Sequence, residues 1–188
     1  MYNASDLKKG LKIEIEGDPC MITHFEFSKP GKGQALYRCK IKNLLSGNTF
    51  DKTYRSVDKI DRCDLMSRDF TFSYMDAEQY VFSDNQTYEE AYVDQAVLGN
   101  QANFIVDDMQ VEILFHNDRA LEVTLPNFIE MTISETEPGA RGDTATNVQK
   151  PAKLENGYEL AVPIFINEGD LIRIDTRTGE YADRISKG

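Results

Sequence analysis

Lys32 is the residue whose type and setting most directly suggest chemistry, because it could present a single ammonium group to a partner. It lies in the segment Ser28–Ala35, between Gly31 and Gly33. Neither glycine has a Cβ, so the backbone on both sides of Lys32 can adopt positive φ. Pro30 has a fixed φ and no N–H, which suits a turn better than a central strand position. These residues predict an exposed loop with one cation at its tip, and an ordinary surface loop stays open as the alternative.

Two segments of alternating apolar and polar residues must position this loop, one on each side of it. The apolar positions are Phe25, Phe27, Tyr37, Cys39 and Ile41. Strict alternation is typical of a strand with one buried face and one exposed face, so the two segments predict a hairpin. The intervening residues Arg38, Lys40 and Lys42 would project outward as a basic stripe. This stripe could contact RNA phosphates, or it could be an ordinary solvated strand face.

Charge is distributed unevenly along the chain. The formal net charge of −11, averaged over all residues, argues against nucleic-acid binding. Residues 1–63, however, carry 12 Lys and Arg against 8 Asp and Glu, whereas residues 64–127 carry 2 against 13 and residues 128–188 carry 7 against 11. Such asymmetry predicts that the amino-terminal part faces a polyanion. The acidic middle part would face solvent or fix orientation by repelling RNA.

Membrane and secreted classes are not supported by the sequence. It has no apolar run of about 18 residues, so no membrane span is predicted. The first residues lack the basic segment followed by an apolar one that marks a secretory signal. Cys20, Cys39 and Cys63 are odd in number and widely spaced, which fits neither a disulfide framework nor a zinc site. These features predict a cytoplasmic protein, with Cys39 as a small core residue.

Enzyme chemistry is not predicted either. His24 and His116 are the only histidines, and neither has a cysteine or carboxylate at the spacing of a nucleophile pair or metal site. The sequence around Lys32 lacks the spacing, and the Ser or Thr after the lysine, that a phosphate-binding loop requires. We therefore expect no catalytic residue, no metal site and no cofactor.

The hydrophobic pattern predicts an all-β protein of three small units, covering residues 1–64, 65–127 and 128–188. Five or so short strands in the first unit favour an SH3-like barrel. In the second unit Phe70, Phe72 and Tyr74 are predicted to share one face. A capping-box sequence at Thr87–Glu90 predicts a helix that ends near Leu98. Barrel strands interrupted by one helix favour an OB-like fold, and a third β unit with a long, functional loop over residues 137–152 follows.

Three sequence motifs together resemble one family. The run Lys29-Pro30-Gly31-Lys32-Gly33-Gln34-Ala35 is similar to the signature loop of bacterial elongation factor P, in which the second lysine is extended after translation. Gly142-Asp143-Thr144 and the closing Asp175-Thr176-Arg177-Thr178-Gly179-Glu180-Tyr181 stand at matching distances along the chain. The resemblance covers the whole chain and follows the lysine-type pattern of the loop.

This resemblance implies a fold and a function. The fold would be an L-shaped, tRNA-like protein in which an SH3-like (KOW-like) barrel precedes two OB-fold domains. The function would be that of a monomeric translation elongation factor. It would bind the 70S ribosome beside the peptidyl-tRNA in the P site, stimulate peptide-bond formation and relieve stalling at consecutive prolines.

The resemblance also implies roles for individual residues. Lys32 would carry a β-lysyl group added by lysine-modifying enzymes, with hydroxylation as a further modification in the family. The loop residues facing the peptidyl-tRNA would be Lys29, Pro30, Gly31 and Gly33. Gly142, Asp143 and Thr144 would face the messenger in the E site, and Tyr181 and Arg184 are weaker candidates for ribosome contact. The assignment of Arg38, Lys40 and Lys42 to tRNA or ribosomal RNA phosphates rests on the strand alternation alone.

Two other classes of function stay open at this stage. A general single-stranded RNA-binding OB-fold protein would need a basic groove with stacking aromatic residues. The aromatic run Phe70, Phe72 and Tyr74 falls in the most acidic third of the chain, which favours a core role for these residues. A small hydrolase using carboxylates is the other class, and a screen for turnover would reveal it.

Overall fold

The protein is built almost entirely of antiparallel β-sheet. A computed structural model describes residues 1–139 and 148–188, and within them it contains three sheets. The described residues form two compact units, one comprising residues 1–68 and 113–122, the other residues 69–112 and 123–188. The all-β prediction is therefore confirmed.

The first sheet carries the predicted hairpin. Its strands are β1 (Tyr2–Asn3), β2 (Lys12–Ile15), β3 (Asp18–Ser28), β4 (Leu36–Asn43), β5 (Thr49–Arg55) and β6 (Lys59–Arg62). They are hydrogen-bonded in the order β1-β6-β2-β3-β4-β5. Ile13, Ile22, Cys39 and Ile41 are fully buried on one face of this sheet. The predicted alternation in β4 is confirmed, because Cys39 and Ile41 point inward between exposed neighbours.

A β-bulge at Thr23 changes which residues of β3 face the core. Ile22 pairs with Ile41, but the next pair is His24 with Lys40, so Thr23 is an extra residue. Its hydroxyl donates a hydrogen bond to the Lys40 carbonyl at 3.1 Å. Because a strand alternates with period two, one extra residue reverses the direction of every side chain that follows. Residues 20 and 22 point inward before the bulge, and Phe25 does so after it.

The second sheet contains a similar bulge, which corrects one prediction. Its strands are β7 (Met66–Asp76), β8 (Gln79–Asp84), β9 (Glu90–Asp94), β10 (Gln110–His116) and β11 (Arg119–Thr124), in the order β11-β10-β7-β8-β9. Phe70 and Phe72 are buried as predicted, but Tyr74 is 45% exposed. Phe72 pairs with Phe82 and Tyr74 pairs with Val81, so Ser73 is the extra residue. The prediction that Tyr74 shares their face is wrong.

The predicted helix over residues 87–98 is wrong for most of its length. Glu90–Asp94 is strand β9, and only Gln95–Leu98 forms a helical turn (α1), followed by a 3-10 segment over Gly99–Phe104. The Asp84 carboxylate accepts hydrogen bonds from the N–H groups of Gln86 and Thr87 at 2.8 and 3.0 Å. This arrangement is an Asx turn, and Tyr88 continues it with a φ of 62°. The polar residues that resemble a helix cap therefore close a β-hairpin.

The third sheet forms the predicted third β unit and extends into part of the predicted long loop. Its strands are β12 (Phe128–Thr136), β13 (Gln149–Leu154), β14 (Glu159–Pro163), β15 (Leu171–Asp175) and β16 (Glu180–Ser186), in the order β14-β13-β12-β15-β16. Residues 149–152 were predicted as loop but belong to β13, where Pro151 pairs with Ala161. Proline cannot donate to the ladder, which makes this strand hard to recognise from sequence.

Candidate functional site

The candidate site is the loop that joins β3 to β4. The last paired residues of the hairpin are Ser28 and Leu36, so residues 29–35 form the connection. Lys32 and its neighbours from Lys29 to Gln34 are all exposed. The structure therefore presents the Lys32 ammonium group at the end of a two-stranded arm, where a partner can approach it.

The two glycines beside Lys32 differ in their local geometry. Gly33 has a φ of +155°, and a Cβ built on it would lie 3.5 Å from Cγ of Pro30. An L side chain rarely adopts such a φ. A Cβ built on Gly31 would have no atom within 4 Å. Gly33 thus has a conformational requirement for glycine, whereas Gly31 has no such requirement and its surroundings would leave space for a Cβ.

The basic stripe lies on the exposed face of β4. Arg38, Lys40 and Lys42 are exposed and alternate with buried residues. Their cross-strand neighbours are mixed in charge, since Arg38 pairs with Glu26 and Lys40 pairs with Asp51. The stripe is therefore accessible to a polyanion, and two carboxylates beside it partly offset its charge.

An aromatic cluster on the opposite face of the hairpin consists of Phe25, Phe27 and Tyr37. The ring centroid of Tyr37 lies 6.2 Å from that of Phe25 and 5.2 Å from that of Phe27. Phe25 and Tyr37 pack partly against the core of the first sheet, whereas Phe27 is 53% exposed. Sequence alternation places all three rings on the apolar face, but it gives no sign that the hairpin extends beyond the core at Phe27.

Arg184 and Tyr181 lie in the third sheet, where Arg184 makes contacts within the chain. The Arg184 guanidinium is 3.4 Å from the Asp170 carboxylate and donates to the Phe165 carbonyl at 3.3 Å. It also lies over the Phe165 ring, 5.1 Å from its centroid. Tyr181 is half-buried, and burial raises the pKa of its hydroxyl. Arg184 therefore has a structural role within the chain, and its role at a ribosome contact stays a prediction.

Asp170 is the centre of a buried polar network near the end of the chain. The residue is 2% exposed, and its carboxylate accepts hydrogen bonds from the N–H groups of Asn167 and Gly188 at 3.0 and 3.1 Å. Burial acts to raise the pKa of Asp170, but these two donors and the Arg184 guanidinium together hold it below its ordinary value. The carboxylate is therefore ionised at neutral pH.

The closing motif, residues 175–181, makes specific contacts inside the second compact unit. The Thr176 hydroxyl donates to the Pro126 carbonyl at 2.6 Å. Gly179 has a φ of +76°, and a Cβ there would lie 2.6 Å from the Tyr158 hydroxyl and 3.3 Å from the Phe104 ring. The Phe104 and Tyr158 rings meet edge to face at a centroid distance of 5.0 Å. The motif therefore contributes to packing, and Gly179 is required for both its φ and its lack of a side chain.

Gly142, Asp143 and Thr144 lie outside the described residues. Burial raises the pKa of Cys63 to about 11, with a further contribution from the Glu14 carboxylate, so this thiol is protonated at neutral pH.

Across residues 1–139 and 148–188, no three His, Cys, Asp or Glu side chains form a group that could hold a metal ion. In the same residues, no helix is long and apolar enough to cross a membrane.

Comparison with known proteins finds matches along nearly the whole chain. Three family models match in succession: the elongation factor P KOW-like domain over residues 3–60, the elongation factor P OB domain over residues 65–123, and the elongation factor P C-terminal domain over residues 129–184. The elongation factor P of Syntrophus aciditrophicus is 48% identical over 185 residues, which cover 98% of this chain and 99% of that protein. This chain belongs to the elongation factor P family. Members of this family are translation factors, not enzymes.

Similarity to the family is not confined to one relative. The elongation factor P of Symbiobacterium thermophilum is 42% identical over 184 residues, 98% of this chain and the full length of that protein. Among solved structures, a factor from Methanococcus jannaschii named eukaryotic translation initiation factor 5A has a TM-score of 0.56 and 22% sequence identity. The match covers 66% of this chain and 93% of that one. At this identity the likeness shows a shared fold, and the predicted KOW-like and OB domains are confirmed.

Proposed function

We propose that this elongation factor P binds the 70S ribosome beside the peptidyl-tRNA in the P site and stimulates peptide-bond formation at consecutive prolines. The observation that carries the proposal is the exposed Lys32, flanked by two glycines at the tip of the β3–β4 hairpin. Membership of a translation-factor family supports the setting. The factor would act in the cytoplasm as a monomer.

The mechanism would be one of positioning. Proline is a stiff secondary amine, so its peptide-bond formation suffers mainly from poor alignment of the reactants. Holding two reactants in a reactive geometry can remove several kcal/mol of barrier, and each 1.36 kcal/mol changes the rate tenfold. The factor needs no acid, base or metal for this task. Its contribution would be to fix the end of the peptidyl-tRNA with a cation and a narrow loop.

Each loop residue would have a separate part in this task. Lys32, extended with a β-lysyl group by modifying enzymes and hydroxylated in some cases, would reach toward the reaction centre. Gly31 would allow the close approach, and Gly33 would keep the turn in its left-handed conformation. Pro30 would restrict the loop, while Lys29 would add a second cation beside the peptidyl-tRNA.

Other contacts would hold the factor in place on the ribosome. The basic stripe would contact phosphates of tRNA or ribosomal RNA, and Gly142, Asp143 and Thr144 would face the messenger in the E site. Tyr181 and Arg184 are weaker candidates for ribosome contact. We also propose domain boundaries near residues 64 and 127, which is supported by the strands of the three sheets falling within residues 2–62, 66–124 and 128–186.

A purified translation system lacking this factor tests the function. The message encodes three consecutive prolines, and a second message without them is the control. Protein isolated from its own host, so that Lys32 carries any natural modification, should restore full-length product from the first message and leave the second unchanged. If a known elongation factor P relieves the stall in parallel reactions and this protein does not, the proposal fails.

The basic stripe yields a separate prediction about ribosome affinity. Replacing Arg38, Lys40 and Lys42 together with glutamine should weaken ribosome binding and reduce its dependence on salt. Each lost phosphate contact lowers the slope of log K against log salt concentration by roughly one. Binding by sedimentation at several salt concentrations measures this slope. The control is a matched triple variant in the exposed, acidic strand β9, in which Glu90, Tyr92 and Asp94 are replaced by glutamine.

The fold of the stripe variant should be unchanged, because all three side chains point away from the core. Its melting temperature should therefore match that of the wild type. An unchanged salt slope would show that the stripe faces solvent on the ribosome.

A further inference from the structure

We propose that Phe27 is a stacking surface for an unpaired nucleobase of the RNA that the hairpin approaches. The inference rests on the proposed function and adds a second recognition element to the same hairpin, distinct from the Lys32 cation. It starts from the exposure of Phe27, which at 53% leaves about half of a large apolar ring in contact with solvent.

The ring of Phe27 is supported from behind. Its centroid lies 5.2 Å from that of Tyr37, and the two planes are inclined by 54°. Tyr37 is held in turn by Phe25 at 6.2 Å, and both pack against the buried core of the first sheet. An aromatic ring fixed in this way loses little freedom when a planar ligand stacks on its open side.

The position of Phe27 in the register places it beside the loop. Phe27 pairs with Tyr37, Ser28 pairs with Leu36, and the loop begins at the next residue. A group that binds at the Lys32 tip thus has an exposed aromatic ring one strand pair below the loop. Single-stranded RNA ends are recognised by stacking of unstacked bases on aromatic side chains.

The electrostatic setting favours RNA over an apolar protein partner. Lys29 and Lys32 are exposed on the loop, whereas Arg38 lies on the opposite face of the hairpin from Phe27. Residues 1–63 carry 12 Lys and Arg against 8 Asp and Glu. Exposed Tyr74 and Tyr92, in contrast, surround the Glu90 carboxylate, to which Tyr92 donates a hydrogen bond at 2.8 Å. Phe27 thus lies next to a loop with two exposed lysines, whereas the Tyr74 and Tyr92 rings lie beside a carboxylate.

The first experiment separates stacking from packing. Phe27→Leu retains an apolar side chain against Tyr37 but has no π-face, whereas Phe27→Tyr retains the ring. Phe27→Leu should bind the ribosome about tenfold more weakly than the wild type, and this factor should be the same at all salt concentrations. Phe27→Tyr should bind as the wild type does. Phe50→Leu, at a ring 37% exposed on the edge strand of the same sheet, is the matched control.

The second experiment locates the ligand and does not depend on the stability of a variant. A benzophenone-bearing phenylalanine at position 27, or at position 50 as control, is irradiated with 70S ribosomes that have tRNA in the P site. A cross-link from position 27 to a nucleotide supports the proposal, and its location in tRNA or in ribosomal RNA identifies the source. A cross-link from position 27 only to ribosomal protein overturns it.

The outcomes distinguish this inference from the proposed function. If the wild type relieves the polyproline stall and Phe27→Leu binds and rescues equally well, the stacking surface is refuted and the function stands. If the wild type neither binds the ribosome nor relieves the stall, the proposed function fails and the inference with it. A lower melting temperature for Phe27→Leu would shift the decision to the cross-linking experiment.

Discussion

Lys32→Ala should lose the ability to relieve a polyproline stall, with full-length product falling to the level seen without the factor. The side chain is exposed at the loop tip, so its removal deletes the cation, and any group attached to it, without disturbing the core. Loss of the positioning contact should slow peptide-bond formation at the stall by at least about tenfold. Quench-flow measurement of tripeptide formation in the purified system gives this rate directly.

Lys29→Ala is the comparison variant, because Lys29 is the second loop cation proposed to lie beside the peptidyl-tRNA. Lys29 lies in the same loop, is also exposed and carries the same charge, so a general effect of loop charge should affect both variants equally. The expected result is a small loss for Lys29→Ala and near-complete loss for Lys32→Ala, with equal melting temperatures. If both lysines can be replaced without loss of rescue, the hairpin tip is not the functional element.

Asp170→Asn should be the most destabilising single substitution considered for the third sheet, at roughly 2–4 kcal/mol. An asparagine cannot accept all the hydrogen bonds now made to the carboxylate, and it leaves the Arg184 guanidinium without its anionic partner. Urea denaturation followed by circular dichroism measures the change. Asp183→Asn removes an exposed carboxylate 3.3 Å from Arg173 and should cost under about 1 kcal/mol. If Asp170→Asn and Asp183→Asn lowered the free energy of unfolding equally, the burial of Asp170 would not explain the stability that its contacts provide.

The same network gives a pH dependence with a definite sign. The folded-state pKa of Asp170 is lower than its ordinary value, so the native state favours the ionised carboxylate. The resulting stability is fully present above the ordinary pKa of about 4 and is lost as pH falls through the folded-state pKa. The free energy of unfolding should therefore decline below about pH 4 in the wild type and decline less steeply in Asp170→Asn.

The sequence predicted the hairpin and its loop because their signals are local. Glycine and proline next to Lys32 indicate a turn, and the alternation in β4 shows directly which residues are exposed. The three-unit, all-β organisation also follows from the spacing of short apolar segments. The function came from the resemblance of the loop and the closing motif to a family, since one exposed lysine does not by itself specify a partner.

The parts that the sequence did not predict depend on nonlocal pairing. Nothing in the local pattern shows that Ser73 is an extra residue, so Tyr74 was assigned to the wrong face. The residues Thr87–Glu90 satisfy the requirements of a helix cap and of a strand connection, and pairing of Glu90 with Ser83 decides between them. The contact of Arg184 with Asp170 joins residues that the sequence gives no reason to associate.

The bulge at Thr23 changes which residues of strand β3 face the core, from even-numbered to odd-numbered ones. Up to Ile22 the even-numbered residues face the core, and from Phe25 onward the odd-numbered ones do. Deleting Thr23 would remove the extra residue, so that His24 follows Ile22 directly, and every later residue would keep its partner on β4 and its face. The two chemically different faces of the hairpin are therefore set by its pairing with β4, and residues 24–40 transferred to another barrel would keep both faces without Thr23.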